Sequence, residues 1–72
     1  MKPEDLLSLV NVEIPFGKYQ GRKIADLPEN YLLWFSNKGF PPGRIGELMQ
    51  LMLVIQENGL EPLLAPLRKT QR

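Results

Sequence analysis

Seventy-two residues carry no cysteine and no histidine, and nine basic against eight acidic side chains leave a formal charge of +1. These facts exclude a disulfide framework and the usual zinc, iron–sulfur and haem ligand sets, and they imply no strong general pull toward nucleic acid or membrane. A chain this short makes a single domain, 1–72, that buries only roughly 60% of its unfolded surface, so the stabilising partner left to it is another protein chain.

In chain order, Pro3 to Val10 predicts a short helix. Pro3 suits a first helical position, Glu4 and Asp5 complement the positive end of the dipole, and Asn11 is a plausible left-handed cap. Val12, Ile14 and Phe16 then alternate with polar residues or proline, the period of a strand, with Pro15 restricting it to an edge. Gly17-Lys18-Tyr19-Gln20-Gly21 is a glycine-bounded loop and Arg22 to Ala25 a returning strand, so 12–25 is read as a β-hairpin. Asp26, Pro28 and Glu29 have the spacing of a helix start. The helix carries Tyr31, Leu32, Leu33, Trp34 and Phe35 and stops at Gly39; Tyr31, Trp34 and Phe35 are read as core facing the hairpin.

After a rigid Phe40-Pro41-Pro42-Gly43 link, the longest helix runs from about Arg44 to Asn58, with Gly59 as its stop. Ile45, Leu48, Met49, Met52 and Ile55 make one apolar stripe, the two methionines filling gaps in the core. Leu51, Leu53 and Val54 widen it to a second side, and these three are the candidate interface of a homodimer; the alternative is that the C-terminal segment covers them. Between Leu60 and Leu67, Pro62 and Pro66 leave room for a turn or two of helix. Residues 68–72 read as a flexible polar tail. The fold class expected is therefore α+β: a short β-hairpin packed on three to four helices.

The opening Met1-Lys2-Pro3-Glu4-Asp5 places two acids where a signal peptide would begin its apolar stretch. The longest apolar runs, Tyr31 to Phe35 and Leu51 to Ile55, fall far short of the ~20 residues of a membrane span. A cytoplasmic protein with no membrane partner is expected. No catalytic residue is expected either. Ser8, Ser36 and Thr70 stand in no nucleophile motif. Glu4 with Asp5, and Asp26 with Glu29, are explained as helix-start pairs, while Glu47, Glu57 and Glu61 are spread over the surface. No metal or cofactor is expected.

Phe16 to Lys23 is different, with three bases, no acid, two aromatics and two glycines. In one reading Gly17 and Gly21 let backbone amides approach phosphate, Lys18, Arg22 and Lys23 supply charge, and Tyr19 stacks on a base. In the other it is a hairpin turn whose bases stay solvated while Phe16 and Tyr19 pack beneath. It is not a P-loop, since the Gly-Lys-Ser/Thr ending is missing.

The run Ile14-Pro15-Phe16-Gly17-Lys18-Tyr19-Gln20-Gly21-Arg22-Lys23-Ile24, followed by Leu27-Pro28-Glu29-Asn30-Tyr31-Leu32-Leu33-Trp34-Phe35, resembles a small bacterial domain family labelled "putative quorum-sensing-regulated virulence factor". Lys38-Gly39-Phe40-Pro41 and Asn58-Gly59-Leu60 extend the likeness over most of the chain. The label implies a regulatory association, not a biochemical activity. The same Phe-Gly-Lys-Tyr-x-Gly…Leu-Pro…Tyr-Leu-x-Trp pattern is similar to a module appended to some bacterial DNA exonucleases. That resemblance implies an accessory nucleic-acid-binding role, carried onto Lys18, Tyr19, Arg22 and Lys23, although the Asp-x-Glu metal motif of the exonuclease part is lacking. The expected function is a non-catalytic binding module that engages nucleic acid weakly through 16–23; the alternative is a dimeric protein-interaction or regulatory adaptor with no nucleic-acid role.

Overall fold

The computed structural model describes residues 2–68. Four α-helices follow one another: α1 (Pro3–Asn11), α2 (Glu29–Lys38), α3 (Arg44–Glu57) and α4 (Ala65–Arg68). Short 3-10 turns at Ile24–Asp26 and Glu61–Leu64 precede α2 and α4. There is no β-strand and no sheet among the described residues, so the architecture is all-α and the expected α+β fold with its packed hairpin is corrected.

The physical reason lies in residues 12–26. The chain does double back, with Ile14 N–H donating to the Arg22 carbonyl (2.8 Å), Gly21 N–H to the Ile14 carbonyl (2.9 Å) and Ile24 N–H to the Val12 carbonyl (2.9 Å). The pairing amounts to one isolated antiparallel bridge, Glu13 to Lys23. Pro15 has no N–H with which to extend it. On the other side, Ile24 coils at once into the 3-10 turn, where Leu27 N–H returns to the Ile24 carbonyl. The alternation of Val12, Ile14 and Phe16 is satisfied by a loop that buries Ile14 completely and leaves its neighbours half-buried.

Helix ends follow local chemistry, with two corrections. Asn11 is helical and no described residue other than glycine has a positive φ, so α1 passes into extended Val12 without the left-handed cap. Asp26 does not cap α2. It belongs to the 3-10 turn and its carboxylate meets Arg68 (2.8 Å), while Pro28 stands at the cap position and Glu29 opens the helix. Arg68, assigned to the tail, is thus the last residue of α4, and also donates to the Ala25 carbonyl (3.2 Å); residues 69–72 lie outside the described residues. Gly39 and Gly59 follow the ends of α2 and α3, both with positive φ, as their positions in the sequence predict.

The core is aliphatic and sulfur-bearing: Leu9 and Val10 of α1, Ile14, Ile24, Leu27, Leu32 of α2, Leu48, Met49, Met52 and Ile55 of α3, and Leu64. The turn at 24–26, α3 and the C-terminal unit pack around α1, and α2 packs against α3. Gly46 is buried where the Phe40–Gly43 link crosses the first turn of α3, and a Cβ there would collide with the Pro41 carbonyl. At the same end of α3 Asp5 joins two helix starts: one carboxylate oxygen accepts from Lys2 N–H (3.1 Å), the other from Arg44 (2.7 Å).

Candidate functional site

None of the three Phe, two Tyr and one Trp belongs to the fully buried core. All six are joined instead in one network of ring contacts on a single side of the molecule. Phe35 is its centre, with ring centroids at 6.1 Å from Phe16, 5.2 Å from Tyr31, 5.0 Å from Trp34 and 6.4 Å from Phe40. Tyr19 is attached through Tyr31, edge to face at 4.7 Å. Helix α2 produces this arrangement because Tyr31 lies one turn before both Trp34 and Phe35, whereas Leu32 alone on that helix is buried. Trp34, read from the sequence as core, is 54% exposed.

Between the loop and α2 lies a groove of about 500 Å³, lined by Phe16, Gly17, Lys18, Tyr19, Asn30, Tyr31, Trp34 and Phe35. Among the described residues, Lys18 is its one charged lining residue. The Lys18 Nζ is 5.5 Å and the Arg22 Cζ 5.6 Å from the centroid of the Tyr19 ring, so two exposed cations stand near Tyr19 at the distance of cation–π attraction. Tyr31 has its hydroxyl pKa raised, first by burial, which disfavours the phenolate, and then by Tyr19 beside it.

The candidate residues of the loop separate accordingly. Lys18 and Tyr19 line the groove, and Arg22 joins them through the Tyr19 ring. Lys23 is turned away to brace the bridge, with its ammonium 3.3 Å from both the Glu13 carboxylate and the Asn11 carbonyl. The Gly21 amide is engaged by Ile14, and Gly21 and Gly17 serve the turn through φ of 90° and 77°. An added Cβ at Gly17 would stand 2.7 Å from the Tyr31 hydroxyl oxygen, so its missing side chain is what lets the loop lie against α2. Asn30 and Trp34 were missed in the sequence. Their i, i+4 spacing on α2, in register with Tyr31, is the signal that could have found them.

The dimer candidates on α3 divide too: Leu53 is in the core, Leu51 is half-buried and Val54 is 48% exposed. Of the hydroxyls, Ser8 donates to the Glu4 carbonyl of its own helix (3.0 Å), Ser36 is exposed and Thr70 lies outside the described residues. Among the described residues no cluster of His, Cys, Asp and Glu could hold a metal ion, and no helix is long and apolar enough to cross a membrane.

Comparison with known proteins adds a family but no chemistry. The family model described as "Putative quorum-sensing-regulated virulence factor" matches residues 2–67. The chain is similar to "Uncharacterized protein YpeB" of Escherichia coli K12, at 51% identity over 96% of this chain and 97% of that one, and equally to its counterpart in Escherichia coli O157:H7. No solved structure matches. The loop that carries Lys18, Tyr19 and Arg22, and the helix that faces it, lie wholly within the matched span, and the chain belongs to the family described as "Putative quorum-sensing-regulated virulence factor".

Proposed function

We propose that this protein is a non-catalytic, cytoplasmic binding module that engages nucleic acid weakly through its 16–23 loop. The observation that carries the reading is Tyr19, with Lys18 and Arg22 both close to its ring, at an aromatic groove that no acidic residue lines among the described residues. Cations neutralise phosphates and release counterions, while ring faces accept bases of any sequence. A net charge of +1 predicts modest affinity, since little long-range attraction adds to the local contacts.

The test is the salt dependence of binding to single-stranded DNA. Binding is expected at low salt and to weaken steeply as salt rises. In Lys18→Ala/Arg22→Ala the slope of log K against log salt should flatten by about 1.4, the share of two phosphates on a single strand. Lys23→Ala should leave the slope unchanged, because its charge is matched by Glu13. No binding at low salt would refute this reading and leave the adaptor, which rests on Val54 and its exposed position on α3.

A further inference from the structure

Resting on that reading, we propose that the groove between the 16–19 turn and α2 receives an unpaired base stacked on Trp34, so that the ligand is single-stranded and α2 forms the second half of the site. Three observations converge on this. The first is the exposure of Trp34. No aromatic ring is fully buried in the core, and while the other five pack against it, the one indole of the chain stands more than half in water, braced edge-to-face by Phe35 at 5.0 Å and 88°. An indole held in place and left wet presents a stacking surface with little ordering entropy left to lose.

The second is shape. The groove's volume of about 500 Å³ falls within the roughly 300–1,000 Å³ of small-ligand sites. A duplex keeps its bases stacked and paired, so it could meet Lys18 and Arg22 with its phosphates but could not fill the groove. A single strand can splay a base away from its neighbours and do both.

The third is the distribution of polar groups. Lys18 lines one side of the groove, and Arg22 lies outside the lining but close to the Tyr19 ring, so a backbone would run past both. Asn30 lies one turn before Trp34 on the other side, and among the described residues its amide makes no hydrogen bond. A carboxamide offers a donor and an acceptor side by side, the pattern that base edges present. A cationic rim, an aromatic floor and one free amide match a nucleotide chain; an acidic or purely aliphatic occupant would leave one of the three unused.

The experiment follows Trp34 emission while the wild-type chain is titrated at low salt with oligothymidylate and, separately, with a blunt duplex. Quenching by the single strand and at least tenfold weaker binding of the duplex are expected. Trp34→Leu, checked for folding by circular dichroism and assayed by anisotropy of a labelled oligonucleotide, should bind the single strand about five- to a hundredfold more weakly, the span supplied by one stacked base. Trp34→Phe should recover most of that loss. Equal affinity for the duplex, or a Trp34→Leu variant that binds like wild type, overturns this inference while the phosphate contacts of Lys18 and Arg22 stand. Binding of neither nucleic acid overturns both.

Discussion

Gly17 and Gly21 look alike in sequence and do different work. Both have positive φ, so alanine at either position costs about 1–3 kcal/mol in backbone strain. Among the described residues nothing lies within 4 Å of a Cβ at Gly21, whereas at Gly17 the Tyr31 hydroxyl is in the way. Gly17→Ala must therefore displace Tyr31 and open the groove, while Gly21→Ala strains the loop alone. Tyr31 supplies the readout, because its burial raises its pKa above the ordinary 10.0. Titrated by near-ultraviolet absorbance, Tyr31 should ionise above that value in the wild type and in Gly21→Ala, and fall back toward it only in Gly17→Ala. Since the raised pKa favours the neutral phenol in the fold, the associated stability is complete below pH 10.0 and lost as pH climbs through the folded value.

At the scale of elements, α1 and α3 are fastened at their first turns by Asp5. The Arg44 guanidinium, and after it the Lys2 amide, hold this carboxyl below its usual 3.8. A lowered pKa contributes stability above the unfolded value, and that stability is lost as pH falls through the folded one. Asp5→Asn should accordingly lower Tm by a few degrees at neutral pH, as befits an exposed pair. The deficit should disappear in strong acid, a comparison made by thermal melts across pH. Legibility in the sequence varied in the same element-by-element way. The start and stop of α3 could be read because Pro42, Gly43 and Gly59 are local signals, and the stripe through Leu48, Met49, Met52 and Ile55 is indeed core. The hairpin could not, since alternation over three apolar residues describes a loop with one buried anchor as well as it does a strand. Trp34 was misplaced for a related reason. Five apolar residues in a row on α2 cannot all face inward, and which arc does depends on where α3 and the loop lie, which no local pattern records.

As a whole molecule, the chain has a radius of gyration of 11.3 Å, and a self-contained globule of this length is expected near 11 Å. It therefore closes its own core, and Leu53 of α3 is part of that closure. The homodimer proposed from the sequence now rests on a narrower strip of α3, with Val54 exposed and Leu51 half-buried beside it. Sedimentation should show a dimer at micromolar concentration that Val54→Lys converts to a monomer without loss of helicity. A wild-type monomer would end the proposal.

The separation of ring-bearing from aliphatic side chains has a practical consequence for spectroscopy. Every chromophore that absorbs in the near ultraviolet is grouped around Phe35, and the interior of Leu, Ile, Val and Met is optically silent. Tryptophan emission thus reports first the state of one flank of the protein, whereas the far-ultraviolet signal reports the helices that enclose the interior. A melt followed by tryptophan alone would measure the loosening of that flank.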